Sequence, residues 1–274
     1  MKVRSIVCAV AIVLGGAARA AAQEDIGFKP IPDLEIVVPP FTDGQVSALL
    51  GTLDSLVARQ TDPAKWGSDA RLHLWRLLNR LHTGVLSAQQ QARVIRHLDD
   101  LKTKHPTDAK LLGAYQDTVR TRMIGQVAPD IVGKDYDGQE FHLTDYRGQV
   151  VVVTFSGEWC GPCRGEYPYQ RFLLEQNKDK PLTILSVNSD SSLDVAKKAK
   201  IDHALPYRSW WDGYGEKATA GPIASAWNVT GWPTTYVLDP KGVIRFFDLR
   251  QEDLLKGVKQ LMNELPAKTA SKQP

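Results

Sequence analysis

Cysteine is scarce in this sequence, with three among the 274 residues. Cys160 and Cys163 form a CxxC pair, whereas Cys8 stands alone near the N-terminus. There is no second CxxC pair and no closely spaced pair of histidines, and a structural zinc ion needs four such ligands. The sequence therefore argues against a zinc site, and we expect the protein to hold neither a metal nor another cofactor.

Long apolar runs are also absent, apart from residues 6–14. This run follows two basic residues and precedes an Ala-Arg-Ala sequence at residues 18–20, which fits the small-x-small rule for signal cleavage. It is too short to span a bilayer comfortably. We therefore predict a cleaved signal peptide over residues 1–22, with export to the periplasm or the cell exterior. An uncleaved N-terminal membrane anchor is the alternative.

Neither sign of charge is in excess once the signal peptide is set aside. The whole chain has 34 Lys and Arg against 31 Asp and Glu. Residues 1–22 hold three of the basic residues and no acidic one, which leaves 31 of each sign. Because nucleic-acid binding depends on clustered positive charge, we expect no nucleic-acid partner.

The rest of the sequence predicts two folded domains, preceded by a linker and followed by a tail. Residues 23–42 are rich in proline and predict a linker or a wrapped arm. Residues 43–124 carry apolar residues at helical spacing and predict a small all-helical domain. Residues 125–265 predict an α/β domain, and residues 266–274 predict a disordered tail.

The helical region shows four amphipathic stripes. Ser87 and Gln90 predict a capping box at the start of the third, and Pro106 ends it. Stripes of this kind are typical of the core of a small bundle, and a homodimer interface or a partner-docking surface is the functional alternative. The apolar residues are Val46, Leu49, Leu50, Leu53, Leu56 and Val57; Leu74, Leu78 and Leu81; Val94, Leu98 and Leu101; and Leu112, Tyr115, Val119 and Met123.

The second region alternates strand-like and helix-like segments. Apolar runs predict buried strands over residues 150–155 and 182–188, and Asp137-Gly138 predicts the turn of a hairpin. Residues 210–215 are aromatic and rich in glycine, which predicts a loop. The alternation favours a mixed sheet covered by helices on both faces, and hence the α/β fold class.

The CxxC pair lies where the first buried strand should pass into a helix over residues 164–176. A cysteine at a helix N-terminus faces unsatisfied N–H groups and the positive end of the helix dipole, which lowers the thiol pKa. We therefore expect Cys160 to be the exposed attacking thiolate and the more buried Cys163 to resolve the mixed disulfide. A purely structural disulfide is the alternative, although a disulfide that closes so short a loop adds little stability.

Several motifs together resemble the exported TlpA/ResA-like thiol–disulfide oxidoreductases of the redoxin superfamily, which have a thioredoxin-like fold. They are Trp-Cys-Gly-Pro-Cys at residues 159–163, Gly-Trp-Pro-Thr at residues 231–234, the entry Ala-Pro-Asp at residues 128–130, and the Cys-x-x-Glu-x-Pro segment at residues 163–168. The resemblance covers residues 125–265, about half of the chain.

The resemblance implies roles for individual residues. Pro233 would be a cis-proline opposite the Cys160–Cys163 disulfide, and Trp232 would present its backbone to an extended substrate. Glu166 would exchange a proton with Cys163. The alternatives are a surface turn at residues 232–233 and a solvated helix-face acid at residue 166. Substrate contacts are implied for Trp159, Gly161, Pro162, Trp232 and Pro233.

Two further positions lie close to the CxxC segment in the sequence. Thr154 occupies the place at which cytoplasmic thioredoxins carry a buried Asp, which favours the exported branch. Glu158, just before the CxxC segment, is expected to be exposed and without a role.

The direction of electron flow follows from the residues between the cysteines. Gly161-Pro162 is the pair found at the reducing end of the family's range, where potentials span roughly 150 mV. We therefore predict a reductase of protein disulfides, with apocytochrome c reduction as a family precedent and a membrane thiol-transfer reductant as the implied partner.

The open alternatives are a disulfide oxidase or isomerase, a peroxidase, and a non-catalytic partner-binding protein. A peroxidase lacks support because Val153 and Gly157 replace the Pro and Thr of its motif.

Overall fold

The computed structural model describes residues 36–58, 77, 80–82, 84–213 and 221–265. All of these residues belong to one compact unit, residues 31–274. The predicted signal peptide, residues 23–35 of the predicted linker, most of the second helical stripe and the predicted tail from residue 266 lie outside the described residues. No helix among the described residues is long and apolar enough to cross a membrane.

Three helices make up most of the described N-terminal part. They bury one continuous apolar core, to which the predicted stripes contribute Val46, Leu98 and Leu112. The predicted capping box is confirmed, because Ser87 and Gln90 exchange hydrogen bonds at the start of the second helix. A 3₁₀ turn, Pro106–Asp108, separates the second helix from the third. The helices are α1 (Asp43–Ala58), α2 (Ala88–Lys104) and α3 (Ala109–Thr121).

The rest of the described chain is a mixed α/β structure, which confirms the predicted fold class. A two-stranded hairpin, β1–β2, precedes a five-stranded sheet in the order β5-β4-β3-β6-β7. The strands are β1 (Val132–Lys134), β2 (Glu140–His142), β3 (Val150–Ser156), β4 (Leu182–Asn188), β5 (Arg208–Trp211), β6 (Thr234–Leu238) and β7 (Ile244–Phe247). The helices are α4 (Gly161–Gln176), α5 (Leu193–Asp202), α6 (Pro222–Ala226) and α7 (Gln251–Glu264).

Strand β3 lies at the centre of the sheet, and all seven of its residues are buried. It runs parallel to β4 and antiparallel to β6, with Ser156 opposite Asn188 and Phe155 opposite Thr234. Because β3 and β4 are parallel, the end of β3, the start of α4 and the end of β4 meet at one edge of the sheet. The start of β6 reaches the same edge, so four segments converge on the CxxC pair.

The prediction of a loop over residues 210–215 is wrong for its first two residues, because Trp210 and Trp211 belong to β5. Trp210 is completely buried, stacks on Phe141 with ring centroids 4.2 Å apart, and donates from Nε1 to the Phe141 carbonyl at 3.2 Å. Aromatic residues favour strands when a neighbouring surface covers them, and the β1–β2 hairpin supplies that cover. Residues 214–220 of the predicted loop lie outside the described residues.

The helical part packs directly against the sheet. Backbone bonds join Gly125 and Gln126 to Ile244 in β7, each 2.8 Å long. The Asn228 side chain donates to the Thr118 hydroxyl at 3.3 Å. The His82 ring stacks on Phe247, with centroids 4.1 Å apart. These contacts bring α3 and the residues after α6 together beside the start of β6.

Candidate active site

Cys160 is the N-cap residue of α4. Its backbone is extended, with φ −91° and ψ 104°, and its Sγ accepts a hydrogen bond from the Cys163 N–H at 3.2 Å. The helix begins at Gly161, three residues before the predicted start, because Pro162 fits the first turn, where a backbone N–H has no helical partner. Cys160 therefore lies at the positive end of α4, as the sequence predicts.

The two cysteines form a disulfide with Cα atoms 5.2 Å apart. Cys160 is 5% exposed and Cys163 is 1% exposed. The expectation of an exposed Cys160 is therefore wrong for the disulfide form, although Cys160 is the more accessible of the two. Gly161 and Pro162, between them, are exposed.

Two tryptophans enclose the edge of the sheet next to the disulfide. Trp159, which is 45% exposed, contacts the half-buried Trp232 edge-on, with ring centroids 5.7 Å apart. Both indole N–H groups donate to Ser189, Trp159 to its carbonyl at 3.1 Å and Trp232 to its hydroxyl at 3.3 Å. A Cβ at Gly157 would overlap the Trp159 indole, so glycine is required for this packing.

The Trp232–Pro233 peptide bond is cis, as the resemblance implies. Pro233 is buried, and its carbonyl accepts a hydrogen bond from the Arg250 guanidinium. The same guanidinium pairs with Asp248 and donates to the Thr235 hydroxyl at 3.0 Å. Arg250 therefore fixes the loop before β6 to the start of α7.

Glu166 lies one helical turn after Cys163 and is only 4% exposed, so the alternative of a solvated acid is wrong. Its carboxylate accepts the backbone N–H of Gln251 at 2.8 Å. Burial is the largest influence and raises the pKa of Glu166, and the nearby Asp248 raises it further. The Gln251 hydrogen bond and the Arg250 charge act in the opposite direction without cancelling the effect of burial. A buried carboxyl with a raised pKa exchanges protons closer to neutral pH than a solvated glutamate does.

Glu158 is less exposed than the sequence predicts, and Thr154 is buried in the centre of the sheet. Glu158 is half-buried and pairs with His203 Nε2 at 3.1 Å, so its predicted exposure is wrong. Its backbone N–H donates to Asp190 at 2.6 Å. The Thr154 side chain is fully buried, and no hydrogen-bond partner for its hydroxyl is found among the described residues.

Sequence reasoning missed Asp190. It is completely buried, accepts from Glu158 N–H and from Asn188 Nδ2 at 2.7 Å, and so holds the segment that leads into Trp159. Its carbonyl also accepts from Trp211 Nε1 at 3.3 Å. The available signal was an acidic residue two positions after a buried strand, at the edge of the sheet where α4 begins. Within the described part of the chain, no group of three or more His, Cys, Asp or Glu residues could hold a metal ion.

Part of the chain is similar in sequence to known proteins. The AhpC/TSA family matches residues 124–247. The thiol-disulfide oxidoreductase ResA of Geobacillus thermodenitrificans is 34% identical over 123 residues, which cover 44% of this chain and 67% of the relative. The thioredoxin-like protein YneN of Bacillus subtilis is 35% identical over 124 residues, which cover 44% of this chain and 68% of the relative.

Among solved structures, the thioredoxin domain of a thiol-disulfide oxidoreductase from Bacteroides vulgatus is 29% identical to this chain. It matches 52% of this chain and 100% of its own, with a TM-score of 0.47. The family match begins at residue 124, so the helices α1 to α3 lie outside it.

The sequence relatives share the CxxC-bearing half of the chain at 34–35% identity and over two thirds of their own length. That half carries a disulfide at a helix N-terminus and a cis-proline directly before β6. The chain therefore belongs to the AhpC/TSA redoxin family, as a TlpA/ResA-like thiol–disulfide oxidoreductase.

Proposed function

We propose that this oxidoreductase reduces disulfide bonds of exported proteins, with Cys160 as the attacking residue and Cys163 as the resolving residue. The observation that carries the proposal is the position of Cys160 at the N-cap of α4, where its Sγ accepts the Cys163 N–H. A thiolate at that position is stabilised by the same N–H and by the helix dipole. Cys163, with almost no exposure, is accessible to Cys160 rather than to solvent.

The reaction starts from the reduced enzyme. The Cys160 thiolate attacks one sulfur of the substrate disulfide, whose S–S bond breaks, and the other substrate sulfur leaves as a thiolate. Cys163 then loses its proton and attacks Cys160 Sγ. The Cys160–Cys163 disulfide forms, the second substrate sulfur leaves as a thiolate, and two electrons have passed to the substrate.

Glu166 is proposed to receive the Cys163 proton before the second attack. Residues three apart on a helix are neighbours, so Glu166 and Cys163 share a face of α4. Because burial raises the pKa of Glu166, the carboxyl changes its protonation state nearer to neutral pH than a solvated glutamate would.

Substrate is proposed to bind along the loop before β6. The Pro233 carbonyl is occupied by Arg250, so the backbone of Trp232 is the part of this loop that pairs with an extended chain. Trp159 is the exposed ring beside it, and Gly161 and Pro162 are exposed on the cysteine side. These residues surround the access to Cys160.

The reducing direction and the cellular setting remain predictions from the sequence. Gly161-Pro162 is the dipeptide of reducing thioredoxins, whose potential is about −270 mV. The predicted signal peptide over residues 1–22 would place the protein in the periplasm or outside the cell. An exported reductase needs a donor, so a membrane dithiol reductant is the proposed partner, and apocytochrome c is one candidate substrate. Residues 43–124 are proposed as a helical domain, with homodimerisation as its proposed role.

The test combines activity with redox potential. Reduced protein should cleave insulin disulfides, Cys160→Ser should abolish the reaction, and equilibration with glutathione or dithiothreitol should give a potential below about −230 mV. A potential near −120 mV would instead identify a disulfide oxidase. If the Cys160→Ser variant were as active as the unmodified protein, the assignment of Cys160 would be wrong.

A further inference from the structure

A pocket of about 170 Å³ lies between the helical part and the loop before β6. We propose that it binds a neutral aromatic side chain of the substrate, located near the cysteine that Cys160 attacks. This proposal rests on the proposed function, because it concerns how a protein disulfide is chosen. It also gives the N-terminal helices a role in substrate selection.

One wall of the pocket comes from residues outside the family match. Tyr115 and Thr118 lie on α3, and His82 precedes α2. The opposite wall is formed by residues 227–234. The α/β part therefore supplies only part of the lining, and the pocket is completed by the helical part, which lies outside the family match.

The size and lining of the pocket fit one aromatic ring. The rings of Tyr115, Trp227, Tyr236 and Phe247 all line it. An engineered protein cavity of about 150 Å³ holds one benzene molecule, which is close to the volume found here. Aromatic rings also attract one another in offset or edge-on arrangements.

The charged groups and one hydroxyl of the lining are already engaged with other protein groups, which argues for a neutral occupant. Arg250 pairs with Asp248 and donates to the Pro233 carbonyl, so neither charge is left for a ligand. The Thr118 hydroxyl accepts from Asn228 and from Arg122, at 3.3 and 3.2 Å. A charged side chain would lose its hydration without gaining a partner.

The pocket is also placed where a bound substrate would reach it. Trp232, Pro233 and Thr234 line it, and Trp232 contacts Trp159 next to Cys160. Thr230 on the rim is exposed, so the pocket is open to a ligand. Alternate side chains of an extended peptide point to the same face, and a strand-binding site gains its specificity from pockets that receive them.

The first experiment uses a series of disulfide-linked peptides. Each carries one phenylalanine at a different position within three residues of the cysteine, and alanine elsewhere. Reduced wild-type protein is mixed with each peptide in single-turnover reactions, and each rate is divided by the rate with bis(2-hydroxyethyl) disulfide. Burying a phenylalanine side chain should raise the relative rate at one position by about tenfold over the all-alanine peptide.

The second experiment blocks the rim. Thr230→Trp places an indole at the exposed edge of the pocket and should reduce the phenylalanine preference to less than threefold. Thr121→Trp is the matched control, because Thr121 is an exposed threonine of the helical part that does not line the pocket. It should keep the full preference.

The outcomes separate this proposal from the proposed function. Reduction of all peptides at equal relative rates would overturn the pocket proposal and leave the reductase assignment intact. A preference that survives Thr230→Trp would also overturn it. Failure to reduce any disulfide, including the small one, would overturn the reductase assignment itself. If Thr230→Trp did not fold, the peptide series on the wild-type protein would decide alone.

Discussion

Trp159 and Trp232 meet edge-on, with ring centroids 5.7 Å apart, and both donate hydrogen bonds to Ser189. The first tryptophan directly precedes Cys160, and the second directly precedes the cis-proline Pro233. Ser189 follows the end of β4, so one residue of the sheet edge positions both rings. The substrate-binding loop and the disulfide are thus joined through side chains as well as through the sheet.

Removing the Trp232 ring should weaken protein-disulfide reduction. Trp232→Ala loses the edge-on contact with Trp159 and the hydrogen bond to Ser189, and aromatic pairs contribute about 0.5–1.5 kcal/mol beyond their burial. We expect kcat/KM for insulin to fall roughly three- to tenfold. Trp232→Phe, which keeps a ring, should retain most of the activity. Equal activity of the alanine variant and the wild-type protein would show that Trp232 does not position substrate.

Glu166→Gln should slow resolution of the mixed disulfide, because glutamine cannot accept the Cys163 proton. Loss of a positioned proton acceptor typically costs on the order of 10²-fold or more, and we expect a decrease of roughly 100-fold. Burial raises the pKa of Glu166, so the wild-type rate should increase with pH through a midpoint above the ordinary 4.5. Stopped-flow measurement of resolution between pH 4 and pH 8 should show that this midpoint is absent from the variant.

Glu175→Gln is the matched control for this experiment. Glu175 lies on the same helix, and its side chain is 74% exposed. It should resolve the mixed disulfide at the wild-type rate across the whole pH range. A Glu166→Gln profile that is indistinguishable from that of the control would remove Glu166 from the proton-transfer step.

Asp212 should make stability depend on pH. Burial raises the pKa of Asp212 to about 6, although backbone N–H groups of residues 221, 223 and 224 partly oppose this. An acid whose pKa is higher in the folded state contributes stability below its unfolded value of 3.8, and this contribution is lost as pH rises through about 6. Between pH 4 and pH 7, the free energy of unfolding of the wild-type protein should fall by roughly 1–2 kcal/mol relative to Asp212→Asn.

Urea denaturation at several pH values measures this difference. If the difference in the free energy of unfolding between the wild-type protein and Asp212→Asn stayed constant from pH 4 to pH 7, the burial of Asp212 would not control its ionisation.

The sequence predicts those features of the site that depend on local patterns. The β-branched run of β3, the Ser87–Gln90 capping box and the location of Cys160 at a helix start all follow from residues close together in the chain. The strand at residues 208–211 escaped prediction because two tryptophans beside a glycine-rich segment have no clear period. What makes Trp210 a buried strand residue is Phe141, 69 positions away.

Long-range contacts account for the remaining differences. The sequence alone is consistent with Glu166 as an acid on the exposed face of a helix. In the structure its carboxylate is buried and accepts the backbone N–H of Gln251, 85 residues later. The pocket wall from α3 depends on the bond between Thr118 and Asn228, which are 110 residues apart. Helical periodicity shows which face of α3 is buried but not which partner covers it.

The central claim is that Cys160 attacks the substrate and Cys163 releases it, and trapping tests this most directly. Reduced Cys163→Ser protein is mixed with a peptide disulfide, and the covalent product is located by mass spectrometry after digestion without reductant. The account predicts a stable mixed disulfide between Cys160 and the peptide, with no adduct when Cys160→Ser is used in parallel. A stable adduct on Cys163 of the Cys160→Ser protein, with none on Cys160 of the Cys163→Ser protein, would contradict it.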